Sequence, residues 1–84
     1  MGATAMKVHV RYFAVLRDQR KLAQETMETR AVNPGQLYDE LCVSHGFTLT
    51  QNQVRFAING SYVEPTILLN DGDEVVFLPP VAGG

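Results

Sequence analysis

Only one stretch of this chain carries a full set of helix signals, and that limits the fold more than any other feature. Asn33 offers a side-chain oxygen for an N-terminal cap, Pro34 suits the first helical position, and Gln36 stands where a capping-box partner reaches back. Leu37 and Leu41, with Tyr38 and Cys42, repeat at helical spacing and form an apolar stripe. Gly46, directly after His45, is placed to end the helix in a left-handed conformation. One amphipathic helix covers one face of a small sheet. With 84 residues there is room for a single domain of that kind.

The remaining segments read as strands and turns. Met6, Val8, Val10 and Tyr12 alternate with Lys7, His9, Arg11 and Phe13, the period of a strand with one face on a core. Phe13 to Gln19 loses the alternation and predicts a short helical turn. Gln24 to Arg30 is polar and suits a sheet edge, where charge discourages unwanted pairing. Val54, Phe56 and Ile58 alternate with Arg55, Ala57 and Asn59, and Asn59-Gly60 is a hairpin signal. It returns the chain through Ser61–Glu64, which Pro65 ends. Asn70-Asp71-Gly72-Asp73 makes a second turn into the apolar strand Glu74–Leu78, and Pro79-Pro80 stops the ladder because neither can donate to it. The order is that of an α+β domain with the helix on one face of the sheet. Residues 1–5 are expected to be a flexible extension, 6–80 the domain, and 81–84 a mobile tail.

Composition narrows the function. Hydrophobic residues at 45% and charged residues at 19% belong to a globular rather than a disordered chain. A domain this small buries only about 60–65% of its unfolded surface, so no deep catalytic cleft is expected. A formal net charge of −2 supplies no basic field for nucleic acid or an anionic membrane. A single cysteine allows neither an internal disulfide nor a Cys-rich zinc site, and fits a reducing compartment. No signal peptide and no membrane span are expected, so the predicted location is the cytoplasm. Asn59-Gly60-Ser61 matches a glycosylation sequence but reads as a turn.

The segment after Pro79-Pro80 is Val81-Ala82-Gly83-Gly84. Glycine has no side chain and enters backbone conformations closed to other residues. A Gly-Gly end can therefore thread a narrow channel and deliver its carboxylate into another protein's active site. Three segments carry a resemblance: Lys7–Asp18, Phe56–Val63 and, most specifically, Leu69–Gly84 with its Asp-Gly-Asp-Glu-Val strand and Pro-Pro-x-x-Gly-Gly ending. Together they resemble the small, sulfur-carrier subunits of molybdopterin synthase over nearly the whole chain from Met6.

That resemblance implies a ubiquitin-like β-grasp fold with a mixed sheet and one main helix. It also implies that the Gly84 carboxyl is adenylated by an ATP-dependent activating enzyme and converted to a thiocarboxylate. The sulfur source would be a donor such as a cysteine desulfurase system, and Gly83 would provide the slender approach. The loaded tail would enter the large synthase subunit and supply sulfur to a cyclic pyranopterin monophosphate, in a heterotetramer of two small and two large subunits. On this reading the chain is a co-substrate, not the catalyst. It holds no permanent cofactor and no metal, and ATP belongs to the activating enzyme. Apolar residues at Phe13, Tyr62 and Leu78 would contact the large subunit. Val76, Pro79, Pro80 and Val81 complete the expected partner-binding set. Sulfur carriers for thiamine or cysteine synthesis, and ubiquitin-like modifiers or binding modules, share the fold and stay open as alternatives.

Other chemistry-bearing residues read as structural. Cys42 falls on the apolar side of the helix without a partner thiol or imidazole nearby in sequence. His45 is placed to meet the last helical carbonyls, and His9 sits between Lys7 and Arg11 on the open sheet face. Arg11 and Arg17 are expected to be solvated. Asp71-Gly72-Asp73 lacks the ligand spacing of a calcium loop.

Overall fold

The computed structural model describes residues 5–80. Expectations for residues 1–4 and for the tail residues Val81, Gly83 and Gly84 lie outside them. The elements run β1 (Met6–Tyr12), α1 (Ala14–Arg20), β2 (Gln24–Thr29), α2 (Pro34–His45), a 3-10 turn (Gln51–Gln53), β3 (Arg55–Ile58), β4 (Ser61–Val63) and β5 (Glu74–Leu78). They form one five-stranded mixed sheet in the order β2-β1-β5-β3-β4. β1 and β5 pair in parallel at its centre, and the other neighbours are antiparallel. The polar Gln24–Thr29 segment and the short Ser61–Val63 return are the two edges.

The main helix forms as its signals predict, with one shift. Asn33 Oδ1 accepts the Gln36 N–H at 2.8 Å. Gln36 Oε1 reaches past Asn33 to the Val32 N–H at 3.2 Å, so the reciprocal bond lands one residue early. Gly46 closes the helix at φ 71°, its N–H donating to the Cys42 carbonyl at 2.8 Å. The His45 ring, expected at the terminal carbonyls, turns toward the next aromatic residue, with its centroid 6.0 Å from that of Phe47. The turn expected after Phe13 is a seven-residue helix, anchored by the buried Leu16.

One face of α2 covers one face of the sheet. Leu37, Tyr38 and Leu41 meet Val8, Val10 and Tyr12 of β1, Phe56 and Ile58 of β3, and Val75 and Phe77 of β5. Each such side chain removed from water contributes about 1.5–3 kcal/mol. Tyr38 is the centre of an aromatic cluster, 5.3 Å from Phe77 and 5.8 Å from Phe47 between ring centroids. Its hydroxyl donates to the Leu49 carbonyl at 2.8 Å, which satisfies a polar group the core would otherwise strand.

The turn before β5 is clamped by both of that strand's neighbours. Asp71 Oδ1 accepts the Lys7 N–H at 2.7 Å, and the Gly72 N–H donates to the Lys7 carbonyl at 2.7 Å. The largely buried Asp73 carboxylate accepts the Asn70 N–H at 2.8 Å and the Asn59 side-chain amide at 3.0 Å. Asn59 Oδ1 in turn accepts the Glu74 N–H at 3.0 Å. Asn59 and Gly60, at φ 52° and 88°, form the β3–β4 hairpin, whose tight turn needs positive φ at both central residues.

A second polar linkage joins β1, α1 and β2. Arg20 holds the Glu25 carboxylate with two hydrogen bonds of 2.8 Å, and the Tyr12 hydroxyl donates to the same carboxylate at 2.7 Å. The Arg20 bond, opposed by partial burial and aided by Tyr12, keeps the Glu25 carboxyl below its ordinary range. Burial, reinforced by Glu25, raises the Tyr12 phenol. A depressed carboxylate stabilises the fold above its unfolded pKa of about 4.3, and the gain disappears as pH falls through the folded value. Glu25→Gln is therefore expected to lower stability by about 1 kcal/mol at neutral pH, because the pair is partly solvent-screened. Urea denaturation from pH 7 to pH 3 should show the gap between wild type and variant closing in acid. A gap independent of pH would refute the assignment.

Candidate functional site: the open face of the sheet

Among the described residues no element covers the sheet face turned away from α2, and its side chains follow from strand alternation. Lys7, His9 and Arg11 of β1, Glu74, Val76 and Leu78 of β5, Arg55 and Ala57 of β3, and Tyr62 of β4 share it. One continuous row crosses five strands, because Arg11 pairs with Gln24 and Val76, and Ala57 pairs with Val76 and Tyr62. In the next row toward the end of β5, Leu78 pairs with Arg55.

Phe13 extends this face beyond β1. Its backbone is still extended (φ −132°, ψ 153°), so the alternation that buries Tyr12 turns Phe13 outward, where it is 37% exposed. Ala14 then adopts φ 52° and swings the chain into α1. A left-handed conformation costs an L-residue about 1–2 kcal/mol, so the switch from strand to helix stores strain beside Phe13.

The expected partner-binding residues among residues 5–80 do gather here, with different exposures. Tyr62, on an edge strand, is 70% exposed. Val76, Leu78 and Pro79 are only half-buried and Pro80 is exposed. Val76 and Leu78 are only partly open because each outward side chain of this inner strand has cross-strand neighbours. Ala57, between Val76 and Tyr62, is 8% exposed even on the uncovered face. A shallow depression of about 360 Å³ lined by Arg55, Phe56, Tyr62, Val63 and Glu64 borders the patch.

Sequence reasoning passed over Arg55 and Ala57, whose parity on β3 was visible but whose neighbours depend on register. Arg11 was expected to be simply solvated. Its guanidinium carbon lies 5.6 Å from the Phe13 ring centroid, and that of Arg55 lies 5.9 Å from the Tyr62 ring centroid. His9 is held by β2, with Nδ1 3.0 Å from Thr26 Oγ1 and Nε2 2.8 Å from Gln24 Oε1. Cys42 is half-buried, and burial pushes its thiol up, away from the thiolate that reacts. Among the described residues no three His, Cys, Asp or Glu side chains stand close enough to hold a metal. No described helix is long and apolar enough to cross a membrane.

A mixed sheet with one helix across it, an uncovered apolar face and a Pro-Pro exit leading to Gly-Gly define a ubiquitin-like β-grasp protein. The ThiS family profile matches residues 10–84, and the chain belongs to the ThiS family. It is 34% identical over 82 residues to a molybdopterin synthase sulfur carrier subunit of Mycobacterium tuberculosis, covering 94% of this chain and 99% of that one. It is also similar to a chain in the complex of subunits 1 and 2 of molybdopterin-converting factor from Helicobacter pylori. That match has 28% identity and a TM-score of 0.63, covering 94% of this chain and 100% of the other. Small archaeal modifier protein 1 of Methanosarcina acetivorans shares the fold alone, at 22% identity and a TM-score of 0.75 over 96% and 99% of the two chains.

The strain at Ala14 is open to a direct test. Ala→Gly inside an ordinary helix costs up to about 1 kcal/mol. Ala14→Gly is expected to leave the urea midpoint unchanged or raise it, because glycine accepts φ 52° without penalty. A loss of about 1 kcal/mol would refute the strained conformation.

Proposed function

We propose that this protein is the sulfur carrier of molybdopterin synthesis, with the Gly84 carboxyl as its reacting group. The observation that carries the reading is the 34% identity to a curated sulfur carrier subunit across nearly the full length of both chains. The family match, which runs through residue 84 and so includes Pro79-Pro80-Val81-Ala82-Gly83-Gly84, supports it.

The chemistry follows from the carboxylate. At neutral pH an α-carboxyl, with a pKa of about 3.3–3.7, is an anion and a poor electrophile. An activating enzyme couples it to ATP, forming an acyl-adenylate and releasing pyrophosphate. A donor such as a cysteine desulfurase system supplies a persulfide whose outer sulfur displaces AMP, and a thiol then cleaves the resulting acyl disulfide, leaving a disulfide and the thiocarboxylate. That group is a soft nucleophile, as a thiolate is. Inside the large synthase subunit it supplies sulfur to the cyclic pyranopterin monophosphate, and hydrolysis restores the carboxylate. The β-grasp domain contributes recognition. Phe13, Tyr62, Val76 and Leu78 dock the large subunit, while Pro79, Pro80 and Val81 direct Gly83 and Gly84 into its channel. A reducing cytoplasm suits a carrier whose working group is so easily oxidised.

Two measurements test the reading. After incubation with an activating enzyme, ATP and a sulfur donor, intact mass should rise by the difference between one sulfur and one oxygen. Gly83→Val, or one residue added after Gly84, should abolish that increment while circular dichroism stays native. Full loading of either variant would sink the tail mechanism, and isopeptide-linked adducts on lysines would favour a modifier. Leu78→Lys should weaken binding of the large subunit by about 2 kcal/mol or more, roughly thirtyfold. Wild-type affinity in calorimetric titration would remove the open face from the interface.

A further inference from the structure

We infer that Arg11, with Arg55, reads charge within the docking face, and that the large subunit presents carboxylate side chains to them beside its apolar socket. The inference rests on the sulfur-carrier reading above and adds the chemistry of the partner surface.

The two guanidiniums stand among the apolar residues of the open face. Arg11 is next to Val76 in the row that continues to Ala57 and Tyr62, and Arg55 is next to Leu78. A partner that covers Val76, Leu78 and Phe13 must also cover Arg11, because β1 is an inner strand between β2 and β5. Neither arginine is free to swing aside without loss, since each rests against an aromatic ring, Phe13 or Tyr62.

Their charge is also uncommitted. Among the described residues the one ion pair joins Arg20 to Glu25. Along the outer row of β1, Lys7 stands opposite Glu28, and His9 has Glu74 as its β5 partner. Arg11 has uncharged neighbours on both sides, Gln24 and Val76. Glu64 borders the same depression as Arg55, so the surplus of positive charge is greatest at Arg11. Covering a guanidinium with a purely apolar surface would strand a charge out of water, a cost that pairing offsets. A carboxylate on the partner removes the cost, and the planar fork of arginine can grip it with two bonds. In a chain of net charge −2, these ring-borne cations also give the encounter an orientation that the overall field does not.

The test is titration of the complete chain with the purified cognate large subunit at low and high salt. Arg11→Gln is expected to weaken binding roughly tenfold at low salt and to flatten its salt dependence. Arg11→Lys, which keeps the charge and loses the fork, should fall between wild type and Arg11→Gln. Arg55→Gln should act in the same direction and less strongly. Arg30→Gln removes the same net charge beyond the Met6–Thr29 pair, at the other end of β1 from Arg11, and should bind as wild type. Unchanged affinity and salt slope for Arg11→Gln would overturn the inference while leaving the carrier reading intact, as would an equal loss for Arg30→Gln. Failure of the unaltered chain to bind the large subunit would overturn both.

Discussion

The parallel pairing of β1 with β5 is the contact on which the rest of the molecule depends. It joins the first strand to the last, so the chain must close nearly its whole length before that ladder can form. Parallel ladders are slightly less stable per residue than antiparallel ones, and this one spans four residue pairs. Much of its security comes from outside the ladder. Asp71 and Gly72 fasten the turn to Lys7, and Asp73 and Asn59 fasten it to β3, so β5 enters the sheet with its register already set. With β5 in place, Val75 and Phe77 complete the floor under Tyr38. Val76 and Leu78 complete the opposite face by the same alternation. Core and proposed docking surface are two sides of one strand.

Much of this was legible because the signals are local. Asn33, Pro34 and Gly46 bound α2, Asn59-Gly60 makes a hairpin, and Asn70–Asp73 makes a turn, each from a few adjacent residues. The alternation in β1 correctly divided Tyr12 from Phe13. What escaped depends on contacts between distant segments. The Thr50–Gln53 capping box, which starts the 3-10 turn, uses a recognisable Thr-x-x-Gln spacing but lies in a stretch with no apolar period to draw attention. The placement of Arg55 beside Leu78 and of Ala57 between Val76 and Tyr62 requires register, which no local signal supplies. The place of the His45 ring near Phe47 depends on a residue beyond the helix, which the helix signals do not address.

The open face combines two kinds of recognition. Its apolar residues gain from leaving water wherever a partner fits, while its arginines gain only where a partner supplies opposite charge. The first sets how strongly a surface is held and the second which surface is held. In the proposed docking Phe13 and Tyr62 would serve both, since each ring is exposed and also supports a cation. The proposed reacting carboxyl of Gly84 needs neither. Its chemistry requires only a slim approach, so the domain is free to carry recognition.

The position of β5 has a mechanical consequence. The N-terminal end of β1 and the C-terminal end of β5 lie at opposite ends of a parallel pair. Tension between the start of the domain and the segment after Leu78 therefore loads that ladder in shear, and its bonds must fail together instead of unzipping singly. β3 grips the other side of β5 along the same length. On the proposed reading, a partner drawing the chain inward beyond Leu78 would pull on the part of the fold best arranged to resist.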